Sequence, residues 1–283
     1  MLTPRFHCPH AVPGLAPGHR LELPATAAHH ALRVLRLVDG DPIAVFSGLG
    51  GEYAAVLEAT RGKAAHARVA DFHAEDRAPR IDVHIQQSVV SNDKMDWMIE
   101  KAVELGARSV TPVLVERSVV RLNGERAERR VAHWQALAIA ASEQCGLNRV
   151  LDVSPVQSVD EACSALPALN TLRCMLDPRG ERSLTDCISE VWPSIVPDGV
   201  PGMPTAALVL LVGPEGGFSA RETAHARGAG YLTLSLGPRV LRTETAALAA
   251  LAAIRALVDD FRPLAAGCHT RASASMNAAV APT

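Results

Sequence analysis

Two glycine- and proline-rich segments, each following an apolar run and each opening a helix, constrain this chain more than anything else in it. The first is Leu211-Val212-Gly213-Pro214-Glu215-Gly216-Gly217-Phe218-Ser219. Its glycines and proline clear side chains from a stretch where backbone must come close to something. Ser219 is placed to cap the next helix, and Glu222, three residues on, completes a capping box. The second runs Leu234-Ser235-Leu236-Gly237-Pro238-Arg239-Val240-Leu241-Arg242-Thr243-Glu244-Thr245-Ala246 and continues into the small-residue stretch Ala246–Ala253. It gathers a Gly-Pro turn, two arginines, a hydroxyl and a carboxylate before a helix smooth enough to pack close to another backbone. A tight strand-to-helix turn would by itself explain the glycines of the first segment, so that segment alone leaves the function open. As a phosphate loop it is a poor fit. It lacks both the Lys-Ser/Thr pair and the G-x-G-x-x-G spacing, and Glu215 would repel phosphate. A ligand with a cationic centre and an adenosine moiety suits it better.

The surrounding pattern sets the fold class. After about residue 80, strands and helices alternate. Strands are predicted at Ile81–Val90, Ser109–Val115, Leu172–Leu176, Ala207–Val212 and Tyr231–Leu234. Helices are predicted around Met95–Leu105, ended by Gly106, and over Arg126–Cys145 and Glu244–Asp260. Alternation of this kind predicts an α/β fold with a parallel sheet covered on both faces. Residues 1–72 read differently, as short strands at Arg20–Leu23, Asp41–Phe46, Glu52–Leu57 and Ala65–Phe72, with one helix that Thr26 is placed to cap. Closing such strands into a small barrel would protect their edges. Residues 73–80 read as a linker, Trp192–Pro204 as a surface loop, and 263–283 as a disordered tail.

Composition narrows the class further. No apolar run reaches the roughly 18–20 residues of a membrane span, and the N-terminus lacks the pattern of a secretory signal, which predicts a cytoplasmic protein. The six cysteines form no C-x-x-C pair, so neither zinc nor a disulfide framework is expected. His7, Cys8 and His10 read as a frayed, solvated end rather than a metal site. A net charge of −2 argues against a protein that coats nucleic acid indiscriminately. It leaves room for a local basic face. Residues Arg108–Arg130 hold six arginines against three glutamates. Within them Arg117 and Arg121, in a loop after a strand, are candidates for phosphate contact, whereas Glu125–Arg130 reads as a mixed solvated helix face. In the N-terminal unit the candidates are Arg33 and Arg36.

With these residues in view, the chain resembles a bacterial rRNA methyltransferase family of the SPOUT superfamily, which methylates N3 of a uridine in 16S rRNA. The two segments above look like its signatures. Lys94-Met95 through Glu104-Leu105-Gly106, Thr111-Pro112, Glu116-Arg117-Ser118, Trp134 and Glu143-Gln144-Cys145-Gly146 match in order. So do Pro4-Arg5-Phe6 and His30-Ala31-Leu32-Arg33-Val34-Leu35-Arg36, and about 262 residues are covered. The resemblance implies an α/β-knot (trefoil) catalytic domain over 81–262 behind a PUA-like RNA-binding barrel, a homodimer, 16S rRNA or the small ribosomal subunit as partner, and no metal. It implies S-adenosylmethionine as cofactor among three loops, at Leu176-Asp177-Pro178, at Leu211 and Gly213-Pro214-Glu215-Gly216-Gly217, and at Leu236, Gly237 and Leu241. The family often has Arg-Asn-Arg after its Glu-Gln-Cys-Gly; this chain has Leu147-Asn148-Arg149, which moves the expected cation to Arg149.

N3 of uracil largely keeps its proton at neutral pH, so methylation there needs the proton removed or the resulting charge stabilised. Glu215 or Glu244 could accept it, and Arg242 could stabilise the charge. Glu244 has a second reading, as complement to a helix N-terminus, and Arg242 another, as an ion-pair partner that holds the loop. Two rival functions remain at this stage: a non-catalytic rRNA-binding assembly factor of the same fold, and a nucleotide-dependent enzyme.

Overall fold

The computed structural model describes residues 3–59, 64–75, 77–164, 171–195 and 207–261, so the expected tail over 263–283 lies outside the described residues. Toward the N-terminus, β1 (Arg5–His7), β2 (Arg20–Glu22), β3 (Pro42–Phe46), β4 (Glu52–Ala59) and β5 (Ala65–His73) form one sheet in the order β1-β3-β4-β5-β2. Strict alternation in β4 sends Tyr53, Ala55 and Leu57 inward. They join Phe6, Leu21, Ile43 and Val45 in a core of their own. The sheet curls until its two outer strands meet, where Cys8 Sγ, just past β1, donates to Glu22 O at 3.7 Å. The segment from Phe6 to Cys8 is therefore not frayed. Phe6 and Cys8 are fully buried, and the His7 ring hydrogen-bonds Ser47 O at 3.1 Å. Sequence reasoning missed β1 because three residues are too few to show a period.

The helix of this unit is short. It runs as α1 (Ala25–His29) and one π-helical turn over His30–Val34. Pro24, not Thr26, holds the cap position, and no side chain caps the first turn. Proline's fixed φ starts the helix two residues early, which puts Thr26 inside it.

Behind β6 (Asp82–Ser88), α2 (Asn92–Glu104), β7 (Ser109–Leu114) and α3 (Gly124–Cys145) follow in order. Then come β8 (Asp152–Val153), β9 (Gln157–Ser158), α4 (Val159–Ser164), β10 (Thr171–Leu176), β11 (Arg182–Ser183) and α5 (Leu184–Ile195). The chain ends through β12 (Ala207–Val212), α6 (Ala220–Gly228), β13 (Leu232–Ser235) and α7 (Thr243–Leu257). The strands make a second sheet in the order β11-β13-β10-β12-β6-β7-β8, with β9 also on β7, and every pairing is parallel. Alternate residues of β12 serve opposite cores: Leu208, Leu210 and Val212 face one cluster, Val209 and Leu211 the other. That is the burial on both faces that parallel sheets require. The segment read as a loop from Trp192 belongs to α5 as far as Ile195, and the remainder, 196–204, lies outside the described residues. Leu184, Cys187, Ile188 and Val191 recur at helical spacing onto the core, and that periodicity outweighs Pro193.

Arg255, which sequence patterns do not single out, stitches α7 to the rest. It is 1% exposed and donates to Leu105 O at 3.1 Å, Ile81 O at 2.9 Å and Gly106 O at 2.6 Å. Burial pushes its guanidinium down to about 10, against the pull of Asp260 and Asp82. Arg255→Met would leave these carbonyls without a donor. It should cost about 3 kcal/mol or more in chemical denaturation of the sheet-bearing unit. A change below about 1 kcal/mol would show that water replaces the donors.

Candidate functional site

Parallel pairing sets the site. In register, Leu176 at the end of β10 lies beside Val212 of β12 on one side and Leu234 of β13 on the other. The three following loops therefore leave the sheet level with one another, at the carboxyl ends of adjacent strands, where open α/β sheets bind ligands. Between them lies a cleft of about 420 Å³, within the range of small-molecule sites. Leu176, Asp177 and Pro178 line it from the first loop, Gly213 through Gly217 from the second, and Leu236, Gly237 and Leu241 from the third. Of the residues expected around a cofactor only Leu211 is absent; it faces the opposite core with Phe218 and Tyr231. Odd positions of β12 point that way, so Val212 takes its place in the lining.

The second loop is held from several sides. Ser219 Oγ accepts from Glu222 N at 3.2 Å and Ser219 N donates to Glu222 Oε2 at 2.8 Å, which completes the capping box. The other oxygen of the buried Glu222 accepts from Glu116 N at 2.8 Å, tying the loop after β7 to this one. That link puts Arg117 across the cleft wall, donating to Gly216 O at 3.0 Å. Thr243 Oγ1 donates to Gly213 O, joining the third loop to the second. The glycines matter here as space. A Cβ on Gly213 would lie 2.9 Å from the Phe218 ring, and Gly237 sits at a φ of +95°, where side chains are strained.

The charges around the cleft divide into paired and unpaired. Asp177 accepts from Arg179 Nε at 3.0 Å and Nη2 at 2.8 Å, which holds its carboxyl below the usual range. Glu215 accepts from Lys94 Nζ at 2.9 Å, and this contact lowers its carboxyl too. Lys94, at the start of α2, also stands 3.7 Å from Glu244 Oε1. Glu244 is 7% exposed and lies beneath the loop rather than in the cleft lining, with its second oxygen buried and without a hydrogen-bond partner among the described residues. Arg239 and Arg242 line the cleft mouth, are exposed, and make no ion pair or side-chain hydrogen bond among the described residues. Glu215 and Arg242 thus meet at one cleft, with Glu244 just behind them.

Arg149 does not join them. It sits at the junction of the two units, bridged through its backbone to Gly48 and Leu49. The motif around it builds that junction. Asn148, fully buried, accepts through Oδ1 from Arg5 Nη2 at 2.5 Å and Arg77 Nη1 at 3.0 Å, and donates from Nδ2 to Glu75 O at 2.8 Å. Arg5 also bonds Ser142 O at 2.8 Å and Glu52 Oε2 at 3.0 Å, with Phe46 beneath its guanidinium. Glu143 Oε1 accepts from His7 N at 2.8 Å. Leu147 is buried in the larger core. Of the arginines expected to meet RNA, Arg33 and Arg36 are exposed beside the apolar Val34 and Val38, which are 60% and 63% exposed. Arg121 instead holds its own loop, donating to Val115 O at 3.2 Å and Glu116 O at 2.8 Å.

Comparison with known proteins places these features. A family model for an RNA methyltransferase domain matches residues 77–255, and one for an RNA methyltransferase PUA domain matches 23–70. A Bacillus subtilis protein named ribosomal RNA small subunit methyltransferase E is 31% identical over 80% of this chain and 86% of its own. Among solved structures, a putative methyltransferase of Legionella pneumophila with bound S-adenosylmethionine superposes with a TM-score of 0.77 at 32% identity. It covers 90% of this chain and 98% of its own. A ribosomal RNA small subunit methyltransferase E of Neisseria gonorrhoeae, also bound to S-adenosylmethionine, gives 0.75 at 33% identity with the same coverage.

The Glu215–Lys94 pair is open to direct measurement. The Glu215 carboxyl should titrate below the ordinary value of about 4.3, and Lys94→Met should move it upward, because an opposite charge favours the ionised form. Carbon NMR of labelled glutamate side chains reads this. An ordinary titration in both proteins would refute the pairing.

Proposed function

This chain belongs to the RNA methyltransferase family, and from that membership we propose that it transfers the methyl group of S-adenosylmethionine to N3 of one uridine in 16S rRNA during small-subunit maturation. The observation that carries the reading is the cleft at the ends of β12, β10 and β13, with a glycine-lined wall and two unpaired guanidiniums at its mouth. The names of the relatives supply the substrate class, and the two neighbours solved with S-adenosylmethionine supply the cofactor. The residues present fit that cofactor. The cleft has the volume, its apolar stretches at Leu176, Leu236 and Leu241 suit an adenine ring, and its glycines let backbone rather than side chains make the contacts.

When bound, S-adenosylmethionine supplies a methyl group already activated on a sulfonium. The chain then has to align N3 and deal with its proton. Arg242, exposed at the mouth, is the donor best placed to hold negative charge that develops on the ring carbonyl oxygens as the proton leaves. Glu215 is a weak acceptor for that proton, because Lys94 keeps it ionised at lower pH than an ordinary carboxylate. Glu244 lies outside the lining. Charge stabilisation therefore carries more of the chemistry than a carboxylate base.

The division of labour follows the two sheets: residues 1–72 act as the RNA-binding barrel, with Arg33 and Arg36 on its exposed face, and 81–262 as the catalytic unit. Arg149, set apart from the cleft of its own chain, would serve RNA bound across a homodimer of this chain.

Two experiments test the proposal. With labelled S-adenosylmethionine and small subunits from cells lacking the activity, the protein should label 16S rRNA. Arg242→Ala should lower kcat by about 100-fold or more, the usual loss of one preorganised donor, while RNA affinity stays within about threefold, since one contact is a small share of a multi-contact interface. Absence of labelling by the native protein would overturn the proposal, and full activity in Arg242→Ala would remove that residue from the mechanism. A side chain on Gly216 would reach Arg117 at 3.2 Å from its first carbon. Gly216→Val should therefore weaken S-adenosylmethionine binding at least tenfold, about 1.4 kcal/mol, by calorimetry. Unchanged affinity would take this loop out of the cofactor site.

A further inference from the structure

Lys94 belongs to neither signature loop and does not line the cleft, yet it sits between the carboxylates of both. Its Nζ lies 2.9 Å from Glu215 Oε1 and 3.7 Å from Glu244 Oε1. The cation that remains beside these carboxylates is Arg242. Its charge acts on both Lys94 and Glu215, although it pairs with neither. An exposed guanidinium near an unneutralised carboxylate turns toward it, because a charge-assisted, bidentate Arg–carboxylate contact is among the strongest side-chain hydrogen bonds. Here that contact is absent, and Glu215 is already engaged. We propose that Lys94 is a positioning residue that occupies Glu215 and so keeps Arg242 free for the RNA base at the cleft mouth.

The arrangement explains why a lysine, one of three in a chain with 25 arginines, stands at this place. An ammonium is a compact charge that can serve two carboxylates from below. Lys94 reaches them from the first turn of α2, whose far side is packed into the core through Met95, Met98 and Ile99. It is therefore anchored to the core from outside both loops. Neutralising Glu215 also removes a negative charge from the path of a polyanionic substrate. Without Lys94, Glu215 would attract Arg242, and one substitution would disable both residues.

The inference rests on the methyltransferase reading only for what Arg242 acts on; its occupancy can be read in the protein alone. The reagent is phenylglyoxal, which modifies free guanidinium groups, and the rate at Arg242 is followed by peptide mass spectrometry. Circular dichroism and calorimetry with S-adenosylmethionine check that each variant is folded. Arg242 should react readily in the native protein and several-fold more slowly in Lys94→Met. Its rate should recover in the double variant Lys94→Met/Glu215→Gln, where the exposed carboxylate at the cleft is gone and only Glu244, 7% exposed and outside the cleft lining, remains. Methyl transfer should fall with the labelling, kcat dropping at least tenfold in Lys94→Met. Lys94→Arg, which keeps the charge, should stay near the native rate of labelling. Equal labelling of Arg242 in the native protein and Lys94→Met would overturn the proposal. So would slow labelling that Glu215→Gln fails to relieve. If labelling follows the predicted order while neither the native protein nor any variant methylates rRNA, Lys94 holds its role and the substrate assignment falls.

Discussion

The feature on which the rest depends is the parallel ladder through β12, β10 and β13. Hydrogen bonding at this register sets Leu176, Val212 and Leu234 side by side, so three loops distant in sequence begin at the same level. Parallel strands require both faces to be covered. That burial makes the ladder stiff, and loops on a stiff edge can be placed with little freedom. Moving any one strand by a residue would turn its inward side chains outward and carry its loop away from the other two.

On that edge, pairing of charges decides what remains available. Asp177 is taken by Arg179, Glu215 by Lys94 and the carbonyl of Gly216 by Arg117. Arg239 and Arg242 are left at the mouth without partners among the described residues. Glu222, buried behind the loop, satisfies a helix cap and the backbone of Glu116 at once, which keeps the wall in place without offering a group to the cleft. The result is a site whose free charges are cationic and whose wall is largely backbone and apolar side chains. Such a site suits an adenosine-bearing cofactor inside and an anionic nucleic acid outside. The clasp of Arg5, Arg77 and Asn148 then settles where the N-terminal sheet stands relative to this edge.

Much of this was legible from the residues. The alternation of strands and helices, the capping box at Ser219 and the loops at Gly213–Gly217 and Leu236–Leu241 all depend on local chemistry, which sequence displays. The parts that were not legible depend on contacts distant in sequence. Asn148 is 143 residues from Arg5, and nothing local marks it as the hub of a junction rather than part of an RNA site. Arg121 reads as a phosphate contact because the carbonyls it bonds belong to its own turn, whose shape no spacing reveals. The resemblance implies Leu211 at the cofactor; the two-residue period of a strand turns it to the other face. Short elements such as β1 and α1 escaped or shifted because few residues set a period and a single proline outweighs them.

The central claim is that the cleft at the ends of β12, β10 and β13 directs methyl transfer to N3 of a uridine. The most direct measurement is the identity of the product. Small subunits from cells lacking the activity are incubated with the protein and S-adenosylmethionine, and the 16S rRNA is digested and resolved by nucleoside mass spectrometry against standards. The account predicts 3-methyluridine, in no more than one copy per rRNA molecule. A methyl group on another base, on another atom of uridine or on ribose would contradict it.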